Sequence, residues 1–64
     1  MDIWTEILSR EPGRIRETFQ QLNTAEKISV RAHLIRMTNE PGWHPEQVQS
    51  ASIAIEAIKN LPDG

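Results

Sequence analysis

Two histidines are the residues whose chemistry is best suited to a catalytic or metal site. His33 and His44 stand eleven residues apart, which is no recognised ligand spacing, and the chain has no cysteine to complete a metal site. His33 falls on the polar flank of a predicted helix, where a surface histidine is the simpler interpretation. His44 stands at a predicted helix start, and a pH-sensitive contact is the alternative to a structural role there. We predict no metal and no cofactor.

Arg14 and Arg16 form a second candidate site just after Pro12-Gly13. A helix that begins here would offer free backbone amides to an anion. Residues two apart point in different directions on a helix, so the two guanidinium groups would not converge on one ligand. We interpret both as solvated side chains and keep them as a candidate electrostatic contact with a partner.

Catalytic motifs are absent from the sequence. It has no glycine-rich phosphate loop, no Gly-x-Ser-x-Gly turn and no His-Glu-x-x-His pair. A chain of 64 residues forms one small domain, with little room for a pocket that excludes water. We therefore expect a protein without enzymatic activity.

The charge distribution bears on nucleic-acid binding. The net charge is −2, whereas proteins that bind phosphate backbones usually carry a concentrated basic field. Residues 10–36 hold six basic and three acidic side chains, whereas residues 37–64 hold one basic and four acidic side chains. A helix-turn-helix DNA reader would need a polar exposed face on the third helix, which has apolar side chains on two sides. Nucleic-acid binding is thus the less favoured interpretation.

Hydropathy predicts a soluble, cytoplasmic protein. No segment approaches the roughly 20 apolar residues of a membrane span. Met1-Asp2-Ile3 opens without the basic and apolar regions of a signal peptide, so we expect none.

The elements that would position these residues are all helical. Aliphatic residues recur at spacings of three and four, and no segment alternates strictly as a half-buried strand would. Pro12 and Pro45 suit first helical positions, Asp2 suits an N-cap, and Asn23 with Glu26 predicts a capping box. We predict one all-α domain, a small bundle of three to four helices, over residues 2–10, 12–22, 24–39 and 45–60, with a frayed end at 61–64.

The segment NEPGWHPEQV, residues 39–48, is the most unusual stretch of the chain. Its Gly-Trp-His-Pro portion is explained as a rigid turn between the third and fourth helices. Trp43 precedes the predicted cap His44, and Val48 occupies the fourth helical position, which is the arrangement of a hydrophobic staple. The hairpin formed by these two helices is the predicted spine of the bundle.

The third helix carries two apolar stripes on opposite sides. One consists of Ala25, Ile28, Ala32 and Ile35; the other consists of Val30, Leu34 and Met37. A helix that is apolar on both sides needs neighbours on both sides. We expect it to be the central element of the fold.

This pattern predicts a protein-interaction module, most simply a homodimer. We expect the stripe of Val30, Leu34 and Met37, together with Trp43 and Ile53, to be uncovered and to form the interface. The alternative is a small regulatory or inhibitory protein that binds a larger enzyme or nucleic-acid machine as a monomer, through its basic half or the Trp43-His44 turn.

Overall fold

The computed structural model describes residues 2–61, which form four α-helices and no β-strand. The helices are α1 (Ile3–Ile7), α2 (Pro12–Gln20), α3 (Thr24–Asn39) and α4 (Pro45–Ile58). The predicted all-α fold is confirmed. Of the predicted frayed end, residues 62–64 lie outside the described residues.

The helix starts follow from local sequence chemistry. The Asp2 carboxylate accepts a hydrogen bond from the Trp4 amide at 3.1 Å. Asn23 Oδ1 accepts from the Glu26 amide at 2.8 Å, and Glu26 Oε1 accepts from the Asn23 amide at 3.0 Å, so the predicted capping box is confirmed. Each bond satisfies an amide that has no partner within its own helix.

The first helix is shorter than the predicted range of 2–10. It ends at Ile7, and three residues later Arg10 adopts a left-handed backbone conformation with φ 67°. Arg10 Nε donates to Ser50 Oγ at 2.9 Å, and its Nη2 donates to the Glu46 carbonyl at 3.1 Å. The side chain that we expected inside α1 therefore ties the turn between α1 and α2 to α4.

The helix hairpin of α3 and α4 is the spine of the bundle, as predicted, since these two helices make the most extensive contact. Helix α2 packs on α4, and α1 packs on α2. Side chains from all four helices form one core: Ile7, Ile15, Phe19, Val30, Leu34, Met37, Ala51, Ala54, Ala57 and Ile58. The three alanines of α4 let the neighbouring backbones approach closely.

The length and hydropathy of the four helices bear on membrane crossing. None of the helices within residues 2–61 has the length and apolarity that a membrane crossing requires.

Candidate interaction surface

The two apolar sides of α3 have opposite environments. The core stripe, Val30, Leu34 and Met37, faces the interior of a single chain and is 3%, 0% and 2% exposed. The outer stripe, Ala25, Ile28, Ala32 and Ile35, faces solvent. The prediction that Val30, Leu34 and Met37 form an uncovered stripe is therefore wrong, because the other helices already cover them. The apolar side of α3 that is open to solvent is instead the outer stripe.

The residues that flank each stripe agree with this arrangement. Arg31 and Arg36 stand about 140° apart around the helix, and the outer stripe lies between them. Turning that stripe inward would have carried two arginines toward the core, at a large desolvation cost. The side chains that flank the core stripe can pack against aromatic rings of the neighbouring segments. Lys27 reaches over Phe19 with 5.8 Å from Nζ to the ring centroid, and His33 contacts two indoles.

The outer stripe has the spacing of a coiled-coil seam. Its members follow one another at intervals of three, four and three residues, which is the a and d pattern of a heptad. Ile28 is 62% exposed and Ile35 is 37% exposed. Ala25 precedes Ile28, and Ala32 lies between the two isoleucines; these small side chains leave space beside the larger ones.

Shallow grooves border the outer stripe. The first, of about 440 Å³, separates α3 from the Trp4 ring; it is lined by Trp4, Ile28, Ser29, Ala32, His33 and Arg36. The second, of about 120 Å³, separates α3 from α4; it is lined by Arg31, Ile35, Ile55, Ile58 and Lys59. A third groove, of about 270 Å³, lies beside Ala25; it is lined by Ile3, Trp4, Ala25, Glu26, Ser29 and Val30. The first two grooves combine apolar side chains with arginine at the edge, whereas the third has Glu26 there.

Trp43 and Ile53, the other two predicted interface residues, are half-buried and pack against the core. The Trp43 indole meets His33 edge-on, with 5.8 Å between ring centroids. Ile53 lines a groove with Pro12, Arg16, Glu56 and Ala57. A contact of either residue with a partner stays a prediction, and neither adjoins the outer stripe in the way that Trp4 does.

Trp4 is the surface residue that sequence reasoning missed. A first helix this short is unstable alone in water, so Trp4 has to dock on another part of the fold, but its spacing in the sequence does not indicate where. Its ring lies 4.8 Å from that of His33, across 29 positions of sequence, and borders the groove next to Ile28. Only the folding of α1 against α3 brings these side chains together.

The predicted electrostatic pair does not act as one unit. Arg14 forms ion pairs with Glu6 and Glu11, each at 3.2 Å. Arg16 is exposed and forms no ion pair with any of residues 2–61. The pair with Glu6 joins α2 to α1, and of the two arginines only Arg16 has no ion-pair partner within the described range. A role of either in binding a partner stays a prediction.

The histidines show no geometry of a reactive site. The imidazole of His33 packs against Trp4 and Trp43, and the His44 amide donates to Gln47 Oε1 at 3.1 Å. Within the described range, no three His, Asp or Glu side chains group closely enough to hold a metal ion. Comparison with protein-family models, curated proteins and solved structures finds no match to the chain.

Proposed function

We propose that this protein is a protein-interaction module without chemistry of its own, and that the outer stripe of α3 is its contact surface. One observation carries the proposal: Ile28 and Ile35 are exposed on the side of α3 opposite the core, aligned at heptad spacing with two alanines. Single exposed aliphatics are ordinary, whereas aligned ones indicate a contact site. A cytoplasmic location belongs to the same proposal.

The surface suits a helical partner. Helices bind apolar stripes by placing side chains at intervals of three and four into the spaces of the facing helix. The seam from Ala25 to Ile35 is about 15 Å long at 1.5 Å per residue. The grooves beside Trp4 and Ile55 widen the contact, so a bound helix would touch α1 and α4 as well as α3.

Self-association through the same stripe is the second candidate. A homodimer is the simplest prediction from the sequence, although three of the five residues assigned to its interface, Val30, Leu34 and Met37, are buried within one chain. The alternation of isoleucine and alanine lets two antiparallel copies set Ile28 of one helix against Ala32 of the other. This is the specific feature that keeps the homodimer as an alternative to a different protein partner.

Site-specific photo-crosslinking in the native cell tests the proposed surface by capturing the molecule that occupies it. A benzophenone amino acid is placed at Ala32, in the centre of the outer stripe, and in a control protein at Gln20, an exposed position on α2. We expect one discrete crosslinked product from position 32 and none from position 20. Its mass identifies the occupant: twice the mass of the chain indicates self-association, and any other mass indicates a different protein.

Two results would contradict the proposal. The first is the absence of any product from position 32 at native expression level. The second is an identical set of products from positions 32 and 20, since random collisions would then explain both. Circular dichroism of each purified variant establishes that the substituted chain remains helical.

A further inference from the structure

The outer stripe has a basic residue along each edge. Arg31 immediately precedes Ala32 and Arg36 immediately follows Ile35, so they occupy the g and e positions of the heptad. Both are exposed, and neither forms an ion pair or a side-chain hydrogen bond with any of residues 2–61. Residues at these positions set partner choice in paired helices, because they face the partner's flanks.

Acidic groups are missing from the same side of α3. Between Arg31 and Arg36 around the helix lie only Thr24, Asn39 and the outer stripe itself. Glu26 lies beyond Arg36 and lines the groove at Ala25, but its carboxylate is hydrogen-bonded within the capping box with Asn23. On α4, Lys59 is paired with Glu56. The surface is therefore locally positive, although the chain as a whole carries a net charge of −2.

We infer that the occupant of the outer stripe is an amphipathic helix of another protein, with acidic residues on both sides of its apolar seam. This inference rests on the proposed function and adds the charge of the partner. Its aliphatic side chains would contact Ile28 and Ile35, and its carboxylates would pair with Arg31 and Arg36. Such pairs form at the edge of an apolar contact, where they select the partner more than they add affinity.

The same charges oppose the other occupants. A second copy presents arginines at the same two positions, so the antiparallel pairing of Ile28 with Ala32 would place Arg31 of one chain beside Arg31 of the other on the same flank of the seam. Duplex nucleic acid would supply phosphates to the arginines, but its backbone offers no apolar ridge for the isoleucines between them. An amphipathic helix with acidic flanks is the partner that can contact the isoleucines of the seam and pair with the arginines at its edges.

Two synthetic helical peptides test the inference. Each has three heptads, leucine at a and d, and a hydrocarbon staple on the outward face; one carries Glu and the other Lys at every e and g position. Like charges on both flanks keep each peptide from pairing with itself. We expect fluorescence anisotropy to show about tenfold tighter binding of the Glu peptide at low salt, with the difference shrinking as salt screens the pairs.

Three variants of the full chain complete the experiment. We expect Arg31→Glu/Arg36→Glu to reverse the order of affinity of the two peptides, because both side chains are exposed and hold no ion-pair or hydrogen-bond partner among residues 2–61. Arg16→Glu should leave the order of affinity unchanged, since it alters an exposed arginine on a different helix, α2, that forms no ion pair within the described part of the chain. Ile28→Asn/Ile35→Asn should abolish binding of both peptides.

The outcomes separate this inference from the proposed function. Equal binding of both peptides, lost in Ile28→Asn/Ile35→Asn, would overturn the acidic partner and leave the apolar contact surface standing. Binding of neither peptide would overturn the inference, and the photo-crosslinking result would then decide the proposed function by itself. A dimer in sedimentation equilibrium that dissociates in Ile28→Asn/Ile35→Asn would make a second copy the occupant, which also overturns the inference.

Discussion

The Trp4 indole lies against the His33 imidazole, with 4.8 Å between the ring centroids and 58° between the ring planes. This contact joins α1, only five residues long, to the middle of α3. A helix of that length is unstable alone in water, so its structure depends on such docking. Trp4 also forms the outer wall of the groove beside Ile28. The aromatic contact thus shapes the candidate interaction surface while it holds the first helix in place.

Truncation of Trp4 measures this docking. We expect Trp4→Ala to lower the free energy of unfolding by about 2 kcal/mol, less than for a fully buried tryptophan because the ring is half-buried. Trp4→Phe keeps an aromatic ring against His33 and should lose less than half as much. Urea denaturation followed by circular dichroism provides the comparison. Equal stabilities of the two variants would show that the ring contact contributes nothing.

A matched pair of truncations on α3 tests which stripe faces the core. Leu34→Ala should lower the free energy of unfolding by about 3 kcal/mol because it opens a cavity, whereas Ile28→Ala should change it by less than about 0.5 kcal/mol. Thermal denaturation of monomeric protein at low concentration is the measurement. Val30→Ala, a smaller deletion on the core stripe, gives the same comparison if Leu34→Ala does not fold. A larger loss from Ile28→Ala than from both core variants would invert the assignment.

The left-handed backbone at Arg10 predicts that a glycine variant is more stable than an alanine variant at this position. Arg10→Ala and Arg10→Gly both remove the hydrogen bonds to Ser50 and Glu46. Glycine adopts φ near 67° without the steric cost that a Cβ imposes. We therefore expect Arg10→Gly to be more stable than Arg10→Ala by about 1 kcal/mol in urea denaturation. An alanine variant as stable as the glycine variant would place the turn in another conformation.

The capping box at the start of α3 is a local interaction with a local test. Asn23→Ala removes the side-chain acceptor for the Glu26 amide and should lower the free energy of unfolding by about 1 kcal/mol. Asn23→Ser retains an acceptor at the same position and should stay within a few tenths of the parent value. Equilibrium denaturation of both variants measures the difference. A loss of the same size in the serine variant would point to a role for Asn23 outside the cap.

Much of the fold could be predicted because its signals are local. The starts of α3 and α4 follow from the capping box at Asn23 and from Pro45, whose effects extend over only a few residues. The end of α1 could not be predicted in the same way. Arg10 lies beyond the end of α1, and its side chain donates a hydrogen bond to Ser50, 40 positions later in the sequence. No local preference of arginine indicates its left-handed backbone conformation.

The sequence by itself determined that α3 is apolar on two opposite sides, because this property depends only on residue type and helical periodicity. Tertiary structure alone decided which side faces the core. Val30, Leu34 and Met37 carry nearly as much apolar surface as the outer stripe, so burial energy gives no clear preference between them. The choice required all four helices at once: their packing encloses Leu34, leaves Ile28 in water, and places Arg31 and Arg36 where both remain hydrated.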